Sequence, residues 1–282
     1  MNLKTISSLV LVLAGASNAA ASRAFVPKTM AADKALSLRG GAGPIPADTM
    51  AKTLTGLYGV QGVYNYLAPE KNNEMYGIKG SKMSNFIGEG VGNFVLSSAA
   101  AMYAMIYHDM PALKAIGVST LPGIVQSARA LLNDVPADIG IANGGQYFNL
   151  AVNIFVAHAL LTGADYATNA AKGYAVYMGL AMLQCRLAPA SAFKTWGCPE
   201  GSNSEKFILK ILGQAGLGYS VLVWYLANGT DTLTSIGYFC VPLLVSFLEF
   251  VASGEMEAAG VDNAKVLPWI ALMTASIATL AL

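Results

Sequence analysis

The chain has 282 residues, 55% of them hydrophobic and only 12% charged, with a mean hydropathy of +0.50 and a formal net charge of +1. A soluble domain carries about 25% charged residues, so this composition excludes an ordinary soluble enzyme and predicts an integral membrane protein surrounded by lipid. The near-neutral balance offers no basic field for nucleic acid, and the three cysteines, Cys185, Cys198 and Cys240, form no CxxC pair and no zinc set. Cys185 and Cys198 flank one loop, where free thiols are the simple reading and a disulfide the other.

In chain order, the first segment reads as an address. Lys4 precedes the apolar run Ile6 to Ala16 and small residues through Ala21, a signal-peptide pattern whose core is too short to span a bilayer. Ala24-Phe25-Val26-Pro27 follows. It resembles the Ala-Phe-Xaa-Pro junction of bipartite plastid presequences in diatoms and related algae. Phe25 to Pro46 then fits a transit peptide, with Lys28, Lys34 and Arg39 against Asp33. The expected divisions are a signal peptide over 1–24, a transit-peptide-like segment over 25–46, and a membrane part over 47–164 and 165–282. The expected location is a plastid membrane, thylakoid or envelope; a secretory-pathway membrane is the alternative.

The membrane part reads as an internal duplication at an offset of 120 residues. Leu67-Ala68-Pro69 recurs as Leu187-Ala188-Pro189, Tyr76-Gly77 as Trp196-Gly197, and Ile116-Gly117 as Ile236-Gly237. After a one-residue slip, Phe86-Ile87 and Gly92-Asn93 match Phe207-Ile208 and Gly213-Gln214. Each copy offers four apolar segments, at 51–66, 86–107, 111–132 and 146–163, then 171–186, 207–228, 231–252 and 266–282. The predicted fold class is all-α, a polytopic helical membrane bundle of two parallel four-helix repeats with about eight membrane segments. Long apolar runs without period-two alternation argue against barrel strands. Pro122 and Pro242 are expected to kink the third helix of each copy. Lys71, Lys79, Lys82, Arg186, Lys194, Lys206 and Lys265 fall on one face, which the positive-inside rule places on the stromal or cytoplasmic side.

A four-helix unit with Leu-Xaa-Pro after helix one, an aromatic-Gly pair and a glycine-rich second helix resembles the DoxX-like group of small membrane proteins, over 51–163 and 171–282. That resemblance implies a four-helix membrane fold and a relation to proteins that include subunits linked to quinone redox chemistry. It marks no catalytic residue.

Charged groups inside membrane helices are expensive and should be paired or functional. Glu89 and Arg129 stand in helices two and three of the first copy, and Lys210 and Glu249 hold the corresponding positions of the second with signs reversed. Glu89–Arg129 and Lys210–Glu249 ion pairs are predicted; Glu89–Lys210 with Arg129–Glu249 satisfies the signs equally. Asn93 and Gln214 lie one turn deeper on the same face and are expected to hydrogen-bond between helices. Gln146, Asn149 and Asn153 form a polar stripe on the fourth helix where the second copy has Val266, Trp269 and Met273. The asymmetry points to a polar seam or a cavity kept only by the first copy.

His108 and His158 are candidate pigment or haem ligands, and hydrogen bonding to neighbouring helices is the simpler role for each. No cofactor is required, although pigment or quinone contact fits the setting. Gly88-Glu89-Gly90-Val91-Gly92 opens an apolar helix with no strand before it, so it reads as a helix-packing motif rather than a nucleotide loop. No P-loop, nucleophile elbow or HExxH is present, so no enzyme activity is expected. Three roles follow: a structural or assembly subunit of a larger photosynthetic membrane complex, a small-solute or ion carrier of two pseudo-symmetric halves, or a quinone-linked redox subunit. A polar cavity lined by Asn93, Asn149 and Asn153 favours the carrier, a solid interior favours the subunit, and a ring-sized site beside His108 or His158 favours the redox role.

Overall fold

A computed structural model describes residues 45–198 and 201–282. The address expected over 1–24 and most of the 25–46 segment lie outside the described residues. Among these residues there are thirteen α-helices and one 3-10 helix, with no strand.

Proline and glycine set the first boundaries. Helix α1 (Ala47–Leu67) stops because Pro69 disfavours helical backbone at the residue before it; Ala68 sits at φ −137°, ψ 54°. Pro69 then starts α2 (Pro69–Met75), where its missing N–H is tolerated. Gly77, at φ 82°, closes that short helix in the left-handed region. Helix α3 (Lys82–His108) begins at Ser81, whose side chain accepts from the Ser84 backbone N–H while Ser84 Oγ accepts from the Ser81 N–H.

The third apolar segment is split into α4 (Ala112–Ser119) and α5 (Leu121–Leu132) around Thr120. A short α6 (Val135–Asp138) leads to α7 (Asn143–Thr162). The second half runs α8 (Ala167–Leu187), α9 (Pro189–Thr195), α10 (Asn203–Ala227), α11 (Thr232–Ser253), α12 (Glu255–Ala258), a 3-10 turn (Asn263–Lys265) and α13 (Leu267–Leu280). Ser202 caps α10, and the Glu205 carboxylate accepts from the Ser202 backbone N–H at 2.7 Å. Ser202→Ala should therefore lower stability by about 1 kcal/mol in a thermal melt of the detergent-solubilised protein.

The two prolines behave differently from the expected pair of kinks. Pro122 begins α5 after a break, whereas α11 continues through Pro242. The reason lies just upstream. Ser119 Oγ donates to the Ile116 carbonyl at 2.7 Å and Thr120 Oγ1 to the Gly117 carbonyl at 2.8 Å, so two terminal carbonyls of α4 are satisfied and the helix can end. Phe239 and Cys240 occupy the matching places and bring no hydroxyl.

α3 and α10 form the centre of the bundle. Ser81 meets Glu205 at their starts, Gly90 lies beside Leu212, and Phe94 packs on Tyr219, so their contacts advance together and the helices run parallel. Sequence neighbours run antiparallel: Gly62 lies against Leu96 and Gly92 against Tyr66, and Gly117 against Leu161 while Gly123 lies against Asn153. Gly92 and Gly213 mark the closest helix crossings. A Cβ on Gly213 would stand 2.6 Å from the Arg186 backbone nitrogen, and one on Gly92 would strike the Tyr66 backbone, which bears out the packing role of the glycine-rich second helix.

Among the described residues four helical stretches are long and apolar enough to cross a membrane: Lys82–His108, Asn203–Ala227, Thr232–Ser253 and Asn263–Leu280. The shortfall from about eight segments has visible causes. The break at Thr120 leaves pieces of 8 and 12 residues, and α1, α7 and α8, at 20 or 21 residues, carry many amides and hydroxyls.

Candidate functional site

Two polar arrangements lie at the same end of the bundle, where α1, α5, α8 and α11 end and α3, α7, α10 and α13 begin. The first is the set of charges. Arg129 forms an ion pair with Glu89, as the sign pattern predicts, and its guanidinium lies 5.4 Å from the Tyr66 ring centre. The predicted Lys210–Glu249 pair is not formed, and neither cross-copy pair is. Lys210 Nζ instead meets Glu255 Oε2 at 2.7 Å, and Glu249 Oε2 accepts from Arg186 Nη2 at 2.8 Å.

Arg186 explains the change. It was expected on the lysine-rich loop face, but it occupies the last turn of α8 with only 5% of its side chain exposed. There it stacks 4.2 Å from the Phe250 ring centre and also donates to Ser246 Oγ. A buried guanidinium takes the nearest carboxylate, Glu249, so Lys210 turns to Glu255 on α12. Sequence reading set Arg186 among the loop cations and passed over Glu255. Their counterparts 120 residues earlier are Tyr66 and Val135, which carry no charge pattern to flag them.

The second arrangement is a pair of cavities. The larger, about 430 Å³, is bounded by α3, α5, α7, α8, the turn after α9, and Leu212 of α10. Its amides are Asn93, Gln126, Gln146, Asn149, Asn153 and Gln184, and no charged residue lines it. Phe86, Phe94, Phe148 and Met178 supply apolar wall. Asn149 and Asn153 also bind α8: Tyr177 OH donates to Asn149 Oδ1 at 2.7 Å and Tyr174 OH to Asn153 Oδ1 at 2.8 Å. The polar stripe is thus both a helix seam and a cavity wall. Beside it, the Tyr174 ring meets Tyr219, whose hydroxyl shares a 2.7 Å hydrogen bond with Ser119.

The smaller cavity, about 140 Å³, is lined from α1, α2, α3, α10, α11 and α13. Many of its lining residues lie 120 or 121 positions from those of the larger one, with Val266 for Gln146, Trp269 for Asn149, Phe247 for Ser127 and Gln214 for Asn93. Trp269 and Phe247 put large rings where the larger cavity has Asn149 and Ser127, which takes up part of the volume. Gln214, 2% exposed, makes the expected interhelical bond from Nε2 to the Leu243 carbonyl at 3.1 Å.

His108 and His158 are exposed on the outer surface, and neither lines either of these two cavities; His108 makes an edge contact with Tyr103. The three cysteines are free and buried, and burial pushes the Cys198 thiol, in the turn after α9, above its ordinary range. Among the described residues no cluster of His, Cys, Asp and Glu has the makings of a metal site. No known protein family, curated protein or solved structure matches the chain.

Proposed function

We propose that this is a multi-pass plastid membrane protein of two parallel four-helix repeats that carries a small, uncharged, hydrogen-bonding solute by way of the larger cavity. The observation that supports this most is the lining itself: six amides and two tyrosine hydroxyls converge on about 430 Å³ without a single charged side chain. Such a surface replaces the hydration of a neutral polar molecule and repels no ion specifically, because amides donate and accept equally.

The position of the cavity fits one state of a carrier. Asn153 lies ten residues into α7, about 15 Å along its axis, which is half of a hydrocarbon core of about 30 Å. A polar cavity that reaches mid-depth is the form expected where two halves rock about a central site. The two-repeat reading draws on helix bounds as well as sequence: α1 and α8 begin and end 120 residues apart, as do α2 and α9, and α6 and α12. The plastid address draws on the presequence-like start alone. Neither histidine lines either of the two cavities, so the quinone-linked role draws no support from them.

In proteoliposomes, glycerol and urea should enter faster than in protein-free vesicles when followed by stopped-flow light scattering. Asn149→Leu combined with Asn153→Leu should reduce that excess by about tenfold, the effect of losing one or two hydrogen bonds to the solute. Permeability no higher than that of protein-free vesicles overturns the carrier reading and leaves the assembly-subunit one.

A further inference from the structure

We infer that the smaller cavity is a separate binding site for a single-ring aromatic molecule that carries one hydrogen-bond donor, a phenol being the simplest member of the class. The site is distinct from the proposed solute path and stands or falls without it.

Size sets the first limit. A cavity of about 140 Å³ matches the roughly 150 Å³ that accommodates one benzene ring in an apolar protein interior. Shape and chemistry set the second. Tyr58, Tyr76, Phe207, Phe239, Phe247 and Trp269 supply its walls, and no charged residue lines it. The polar ends of those rings are already engaged. Tyr58 OH donates to Met273 Sδ at 3.7 Å, and Trp269 Nε1 donates to Tyr76 OH at 3.3 Å. The amides on the α1 and α2 side bind one another, with Gln61 Nε2 donating to both Asn65 Oδ1 and Asn72 Oδ1. The rings therefore present their faces and edges to the cavity, a lining that favours a flat aromatic guest.

One polar atom stands apart. Gln214 Oε1 is buried without a hydrogen-bond partner among the described residues. The amide orientation is fixed, because Nε2 must face the Leu243 carbonyl. A buried acceptor left unpaired is costly, so a partner that donates is strongly favoured. A ring with a single O–H matches both the apolar volume and the lone acceptor.

The test uses the full chain in detergent micelles and follows the 19F resonances of 4-fluorophenol and 4-fluorotoluene, where saturable shifts separate site binding from micelle partition. 4-Fluorophenol should bind about fivefold to tenfold more tightly than 4-fluorotoluene, the value of one hydrogen bond to a buried acceptor. Gln214→Met, which keeps the length and removes the acceptor, should abolish that preference and leave the toluene affinity within about twofold. Val95→Phe, which drives a ring into the cavity, should abolish binding of both. No saturable binding of either compound overturns the inference, as does a preference that survives in Gln214→Met. Should that variant fail to fold, unlabelled phenol and anisole are compared as displacers of 4-fluorophenol from the unaltered chain. Anisole, which lacks the donor, must displace more weakly, and equal displacement overturns the inference.

Discussion

Replacing Glu249 with alanine should lower the stability of the solubilised protein by about 2 kcal/mol, and replacing Arg129 with alanine by clearly less. Both changes remove the more exposed partner of an ion pair and strand the more buried one. Glu249 and Arg129 each have 43% of their side chains exposed, while Arg186 is 5% exposed and Glu89 15%. Breaking a fully buried pair costs about 3–5 kcal/mol, and the exposure of Glu249 reduces that figure.

The asymmetry comes from the stranded group. A carboxyl left alone at Glu89 can take a proton and become neutral. A guanidinium at Arg186 cannot lose its charge. It would keep the Phe250 face and Ser246 Oγ, which do not replace a carboxylate. The double variant Glu249→Ala with Arg186→Met should recover most of the loss, since an apolar side chain of similar length removes the stranded charge. Thermal or denaturant unfolding in one detergent, followed by tryptophan fluorescence, checks the order. Equal losses for Glu249→Ala and Arg129→Ala would show that Arg186 is not held by this carboxylate.

Gly213→Ala should be among the most damaging single methyl additions in the bundle, at about 3 kcal/mol. The added Cβ would lie 2.6 Å from both the Arg186 nitrogen and the Met182 carbonyl oxygen. These are backbone atoms of α8 and cannot rotate away as a side-chain tip can. Separating α8 from α10 would also loosen Arg186 and the wall of the larger cavity, which Met182 and Leu212 both line. Gly173→Ala is the control. It lies on the exposed side of α8 with nothing within 4 Å of a new Cβ, so its melting temperature should stay unchanged or rise slightly through helix propensity. Similar midpoints for the two variants would mean that the α8–α10 crossing is looser than described.

The all-helical fold could be read without coordinates, because long apolar runs with proline and glycine punctuation leave few alternatives. Leu-Ala-Pro and aromatic-Gly both mark boundaries found in the fold, the first by barring helix before proline, the second by allowing a left-handed turn at Gly77 and Gly197. Glu89–Arg129 was legible because opposite charges on adjacent antiparallel helices in an apolar setting have few other ways to be stabilised. Gln146, Asn149 and Asn153, with Val266, Trp269 and Met273 at the places 120 residues later, likewise announced that one half keeps polar room the other lacks.

What the sequence left open depended on contacts between distant residues. Burial of Arg186 follows from how α8 lies on α10, and only that burial decides that Glu249 serves Arg186 rather than Lys210. Whether a proline bends a helix or begins a new one turned on the hydroxyls of Ser119 and Thr120, a local cue outweighed in plain reading by the proline itself. The polar stripe on α7 could be a seam or a cavity wall until Tyr174 and Tyr177 of α8 were placed against it. A hydrophobic pattern determines that a helix buries a face, because burial is a property of each side chain's transfer from water. Which partners meet across that face is a property of packing, and packing is settled only when every helix has its neighbour.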